Sequence, residues 1–294
     1  MLFLTGVFVK IISSIFYLFS GLLWKKIIPS NINYHIIYYR TLFSILFSIL
    51  SIILFHLYDP KIVNIHHFFE VNFSFWLLTL SICFFSFYGL YYFTNALKHG
   101  RYSIVTPFVS SAAVFSFITA LFIYNEDISI SSLIAFFILI SGLIYHQINH
   151  IKIFKFSKEI FFAILCSFFW GVSFSLYPIP IKKFGIFNFS LILELCVLFS
   201  CIYLLLLKEK KLFPSKIKIS ETKACFFIGA CVAGGSICAN FSLEAMPIYL
   251  NIIVSIIFEA IVLILGFKIF KEKLLIKDWV LISCVTICSV LTFF

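Results

Sequence analysis

The chain has 294 residues, 63% of them hydrophobic and only 12% charged, with a mean hydropathy of +1.13. A soluble domain carries about 25% charged residues, so the polar surface is too small to coat a globule in water, and a water-soluble fold is excluded. The net charge of +10 does not point to nucleic acid either: almost all of the 22 Lys and Arg fall in short connections between apolar runs, as in KEKKLFPSKIKISETK (208–223), where basic loops meet lipid headgroups.

Ten apolar segments follow one another, at about 3–24, 35–57, 73–96, 102–124, 128–147, 159–181, 187–207, 223–245, 247–268 and 277–294, each near the roughly 20 residues that cross a bilayer. The first, beginning MLFLTGVFVKIISS, has no basic leader and no small-residue cleavage site, and reads as an uncleaved span. The runs are too long, and lack the two-residue alternation, for strands of an outer-membrane barrel. Trp24, Tyr34, Tyr58, Trp76, Tyr102, Tyr124 and Trp279 stand at segment ends, as interfacial aromatic belts do. The expected fold is therefore an all-α polytopic membrane protein of ten transmembrane helices.

In chain order, the first span carries a polar stripe, Lys10, Ser13, Ser14, Tyr17, Gly21 and Trp24, whose three- and four-residue spacings share one helix face. Such a face turns to a neighbouring helix or a wet cavity. Two readings of Lys10 stand open: it binds a substrate carboxylate, or its head snorkels to the interface. Arg40 opens the second span beside Tyr38 and Tyr39, about five residues or roughly 8 Å inside. It is expected to anchor at the headgroups and mark topology rather than to hold substrate. Tyr88, Tyr91 and Tyr92 lead up to Asn95 near the end of the third span, a set suited to gripping a small organic molecule. The sixth span repeats the stripe of the first with Ser167, Trp170, Gly171, Phe174 and Tyr177, followed by Pro178 and Pro180, which break or hinge a helix.

Glu194 lies a third of the way into the seventh span, near the repeat position of Arg40, so the two could pair. The eighth span has a small-residue face, Gly229, Ala233, Ser236 and Asn240, in which Asn240 alone demands hydrogen bonds. Glu259 is the deepest charge, about 12 residues and so about 18 Å into the ninth span. A carboxylate there costs several kcal/mol unless paired, protonated or wet. It either takes up and releases protons, holds a cationic group, or is a protonated or hydrogen-bonded structural residue. Nine cysteines lie in or beside apolar runs with no CxxC. Cys284 and Cys288, one turn apart, are more simply small apolar filler than metal ligands.

Ten spans divide into five and five, and the halves echo one another. SIFYLFSGLLWKK (14–26) lies on SFFWGVSFSLYPIPIKK (167–183), and the acidic turn that follows Tyr124 answers the one that follows Phe270. An odd number of spans per half inverts the second half in the membrane, which gives two five-helix repeats, 1–150 and 151–294, with a site expected between them. Trp170-Gly171, Arg40, the turns Ala96-Leu97 and Ala245-Met246-Pro247, Glu126, Glu272 and Trp279 together resemble the drug/metabolite transporter superfamily in its EamA-type branch of ten-span proteins. The chain departs from that pattern at Tyr17-Leu18, where Trp-Gly is usual, and at Asn125 and Lys271, where Gly is usual. The resemblance implies a central cavity walled by spans 1, 3, 4, 6, 8 and 9, alternating access, a small metabolite such as an amino acid as substrate, no cofactor and no catalytic residue.

The function expected is secondary transport, with Glu259, Lys10, Tyr17, Trp170, Tyr177, Asn95, Asn240, Tyr88 and Tyr92 as candidate substrate or coupling residues, and Arg40, Glu194, Pro178 and Pro180 in structural roles. The expected partners are a small-molecule substrate and the lipid bilayer, in a cell membrane, as monomer or homodimer. A sugar-nucleotide or phosphate-ester exchanger would want several mid-span cations, and only Lys10 and Arg40 lie in spans. A membrane-embedded lipid enzyme would want clustered His, Asp or Glu at a membrane edge, and no HExxH or Gly-rich nucleotide loop appears. Odd-numbered loops carry 17 Lys and Arg against 3 in even-numbered loops. That puts the odd loops in the cytoplasm and both termini outside, whereas the resemblance implies termini inside.

Overall fold

The computed structural model describes residues 2–59, 71–124, 130–148 and 157–248, and beyond these only 250, 251, 254, 255, 264, 265, 268, 269, 276, 279, 280, 283, 284 and 287. The described residues form helices and no strands. In order these are α1 (Leu2–Ile27), α2 (Asn33–Tyr58), α3 (Phe73–His99), α4 (Tyr102–Ser110), α5 (Ala112–Tyr124), α6 (Ile130–Ile148), α7 (Lys158–Leu176), α8 (Pro178–Phe184), α9 (Ile186–Glu209) and α10 (Ile219–Ala245). Six of them, α1, α2, α3, α7, α9 and α10, are long and apolar enough to cross a membrane. The expected ninth and tenth segments lie mostly outside the described residues, as do the acidic turns with Glu126 and Glu272.

The helix ends have local causes. The Asn72 side chain accepts the Phe75 N–H at 3.0 Å and starts α3. The Glu221 carboxylate accepts the Lys218 N–H at 2.8 Å and starts α10. Between α8 and α9 the chain turns at Gly185 with φ 79°, a conformation that side chains with a Cβ disfavour. The single segment expected at 159–181 is two helices, because Pro178 has no N–H to continue the ladder, and Tyr177 N–H reaches back only to Phe174 O at 3.4 Å. The segment expected at 102–124 is also broken, at Ser111, whose N–H bonds Phe108 O at 3.2 Å in a tightened turn.

The distribution of side chains is that of a protein solvated by lipid. On α9, Phe199 and Leu207 are more than half exposed while Ser190, Glu194 and Ser200 are buried. Water would reverse that order. The buried hydroxyls mostly bond back along their own helices, as Thr41 does to Ile37 O at 2.7 Å and Ser200 to Cys196 O at 2.7 Å, which satisfies them where no water is present.

Packing is dominated by a few helix pairs: α1 lies along α10, α3 along α7, α2 between α9 and α10, and α5 against α7. Small residues set the close approaches. A Cβ on Gly89 would stand inside the Trp170 indole, and one on Gly229 would meet Arg40 O and Ser44 N of α2 at 2.9 Å each. At one end of the bundle Trp24, Ile28, Ile37, Leu97, Tyr102 and Leu205 fill a compact apolar core. A second cluster, Ile82, Ile181, Phe184 and Phe189, fills the opposite end between α3, α8 and α9.

Candidate functional site

Between these two ends lies a cavity of about 370 Å³, within the range usual for small-molecule sites. Its wall is built in layers from α1, α3, α4, α5, α7, α10 and the residues after Met246, with Arg40 of α2 and Leu193, Glu194 and Val197 of α9 at its floor.

The first wall is the α1 stripe: Lys10, Ser14, Tyr17, Gly21 and Trp24 all line the cavity. Tyr17 is 42% exposed, while Trp24 is 2% exposed and closes the cavity's lower end. Ser13, also on the stripe, is turned to the neighbour instead, and donates to Gly235 O of α10 at 2.8 Å. Gly21 is there because the Tyr102 hydroxyl would lie 2.7 Å from any Cβ.

Facing α1 are Trp170, Phe174 and Tyr177, held by one residue of α3. Trp170 Nε1–H donates to Ser86 O at 3.1 Å, and the Tyr177 hydroxyl donates to Ser86 Oγ at 2.6 Å. Tyr177, at the junction of α7 and α8, keeps helical backbone angles and so shares the face of Trp170 and Phe174. Ser86 was not singled out from the sequence. Its signal was a lone hydroxyl among Phe84, Phe85 and Phe87, one turn from Gly89.

The third wall comes from α10 and the chain beyond it. Asn240 lines the cavity and donates through Nδ2 to Ser190 Oγ at 2.8 Å. Asn251 also lines it, and was not anticipated. Its Oδ1 accepts from Ser242 Oγ at 2.5 Å, and its Nδ2 donates to Ser242 O at 3.1 Å and Met246 O at 3.3 Å. Asn251 thus pins the turn at Ala245-Met246-Pro247 to the cavity edge.

At the floor, Arg40 and Glu194 form an ion pair through Arg40 Nη1 and Glu194 Oε2. Both residues are 3% exposed and both line the cavity. Arg40 is therefore no snorkelling anchor. The helix start at Asn33 and the cover of Tyr34 and Tyr38 put it deeper than its five-residue offset suggested, and α9 supplies a carboxylate that makes burial tolerable. Arg40 Nε has no hydrogen-bond partner among the described residues.

The third-span candidates are elsewhere. Tyr88 and Tyr92 stack with Phe169 and Phe162 in an aromatic seam between α3 and α7, and Asn95 Nδ2 bonds Tyr91 O at 2.7 Å within its own helix. None of the three lines the cavity. The reason is helical phase: Ser86, Leu90 and Phe93 are the α3 residues that do, and a residue two positions from Ser86 projects to nearly the opposite side. Glu259 and Cys288 lie outside the described residues.

Below the floor a polar layer joins the helices at the end that carries the loops 27–33, 99–102 and 209–219. Glu209 accepts from the Tyr34 hydroxyl at 2.8 Å and meets His35 Nε2 at 2.5 Å. Asn31 donates to Glu221 at 2.9 Å, and Lys25 donates to Gly100 O at 2.6 Å.

The geometry defines an integral membrane protein with a central solute-sized cavity. No family model and no curated protein matches the sequence. A protein of known crystal structure is similar in fold, with a TM-score of 0.72 and 11% identity over 98% of both chains. At that identity the likeness speaks for the fold alone, and it covers essentially the whole length.

Proposed function

We propose that this chain is a secondary-active transporter of small organic metabolites, such as amino acids or related compounds, built as ten spans in two inverted five-helix repeats of EamA type. It works by alternating access in a cell membrane. The observation that carries this reading is a central cavity whose walls come from both halves at corresponding places. Tyr17 and Trp170 occupy equivalent positions in the aligned stretches, and both line it. Each packs against a glycine of the other half, Tyr17 on Gly235 and Trp170 on Gly89.

The pattern of helix contacts supports the same reading. Exchanging the first, second and third spans with the sixth, seventh and eighth turns the α1–α10 contact into the α7–α3 contact, and the α2–α10 contact into the α9–α3 contact. It returns α2–α9 to itself. The α5–α7 contact has its counterpart where Met246, Leu250 and Val254 pack on Val7 and Ile11 of α1. Inverted repeats with a site at their interface are the architecture of alternating access. A phosphate-ester exchanger is less well supported. Of the two described cations on the wall, Arg40 is already engaged by Glu194.

The test is flux. Purified protein in liposomes should move at least one member of a radiolabelled metabolite panel faster than empty vesicles do. Glu259→Gln should abolish stimulation by a pH gradient if that residue couples protons. Movement of no solute in either direction, with folded protein, would remove the transport reading.

A further inference from the structure

The described wall of the cavity has a charge left over. It carries two cations, Lys10 and Arg40, and one carboxylate, Glu194. The carboxylate is committed to Arg40. Lys10 makes no ion pair or hydrogen bond with any described residue, yet it stands on the cavity face of α1, one turn before Ser14 and two before Tyr17. An ammonium in a lipid-embedded site with no counter-charge among the described residues is costly, and such groups mark ligand pathways. Arg40 Nε adds a second unsatisfied donor at the floor. No described wall residue offers a free carboxylate to a cationic ligand.

The remainder of the wall specifies the body of the ligand. Tyr17, Trp24, Phe93, Trp170, Phe174 and Tyr177 surround the space with rings. Two of their polar atoms, Trp170 Nε1 and the Tyr177 hydroxyl, are spent on Ser86, so these rings present apolar faces. Asn251 turns its amide nitrogen to the Ser242 and Met246 carbonyls, and Asn240 commits one amide N–H to Ser190 Oγ. Among the described wall residues the charged donors left without a protein partner are therefore Lys10 and Arg40 Nε, and both suit an anion.

We propose that the cavity binds an organic carboxylate with an aromatic or apolar body, its carboxylate countered by Lys10. This rests on the transporter reading of the same cavity, but binding and flux separate the two. In detergent or nanodiscs, isothermal titration with indole-3-propionate, tryptamine and indole-3-ethanol compares one ring system as anion, cation and neutral alcohol. The anion should bind at least about tenfold more tightly than either of the others, a difference of about 1.4 kcal/mol.

Lys10→Met, which keeps the apolar stem, should lose that preference while retaining the affinity for the alcohol. Lys10→Arg should restore part of it. Equal binding of the three probes, or tighter binding of tryptamine, would overturn the proposal. So would recovery of anion binding in Lys10→Met combined with Glu259→Gln, since Lys10 would then serve a protein carboxylate and not the ligand. If Lys10→Met fails to fold, the wild-type probe order and Lys10→Arg still decide. Anion binding without flux would keep this inference and remove the transporter. Flux without anion preference would do the reverse.

Discussion

Arg40 and Glu194 show how a buried charge is tolerated one residue at a time. Each alone would be an uncompensated ion away from water, and together they form a pair with both side chains 4% exposed. Removing one partner of a buried pair costs about 3–5 kcal/mol, whereas replacing both by apolar residues of similar volume is often neutral or better. Arg40→Met and Glu194→Met should therefore each lower thermal stability in detergent strongly, and the double variant should recover most of the loss. A double variant as unstable as the sum of the singles would mean that the two charges do not stabilise one another. This pair was half legible in the sequence. The repeat made Glu194 a possible mate for Arg40, but hydropathy gives depth from the segment end and not which helix lies alongside. The same gap hid Ser86 and Asn251, whose partners come from other spans.

At the scale of elements, the α3–α7 seam is tighter than its counterpart between α1 and α10. A Cβ at Gly89 would overlap the Trp170 indole, while one at Gly235 would meet Phe16 at 3.2 Å and Tyr17 at 3.4 Å, contacts that a small shift relieves. Gly89→Ala should cost about 1–3 kcal/mol as an overpacked contact. It should also loosen the Trp170–Ser86 bond, read as a red shift of tryptophan emission. Gly235→Ala should cost well under half as much. Equal losses would show that the two seams have the same slack. Helix existence and length were readable along this seam because apolar runs of bilayer length leave few alternatives. Facing was readable only where polar residues repeat at three and four, as on α1. On α3, where Phe and Tyr occupy every side, the aromatic run Tyr88–Tyr92 drew attention to the lipid-side seam while the cavity face carried a single serine. The breaks at Tyr177 and Ser111 both have prolines nearby in the sequence: Pro178 stands at the first break itself, whereas Pro107 stands one turn before the second and so announces a disturbance without giving its position.

The whole molecule is asymmetric from end to end, and that asymmetry fixes a testable orientation. The loops 27–33, 99–102 and 209–219 gather at one end, where Lys25, Lys98, Asn31, Tyr34 and His35 tie them together through Leu97 O, Gly100 O, Glu209 and Glu221. Beneath that layer the core around Trp24, Ile28 and Tyr102 closes the cavity. The other end carries Lys182 and Lys183 on α8. Short loops rich in Lys and Arg stay on the cytoplasmic side during insertion, so the sealed end should face the cytoplasm. The EamA-type resemblance implies the opposite. Single cysteines placed at two exposed lysines distinguish the two arrangements. Lys216→Cys, in the loop 209–219, should react with a membrane-impermeant maleimide only after cells are permeabilised, and Lys182→Cys should react on intact cells, each after subtraction of the wild-type signal. That subtraction is needed because Cys83, Cys166, Cys196, Cys201 and Cys225 are buried but Cys231, Cys238 and Cys284 are only half-buried. The reverse pattern would put the polar layer outside. In that case the 17-to-3 excess of Lys and Arg on odd loops would serve a purpose other than topology, and the sealed end would be the one that must open for release to the exterior.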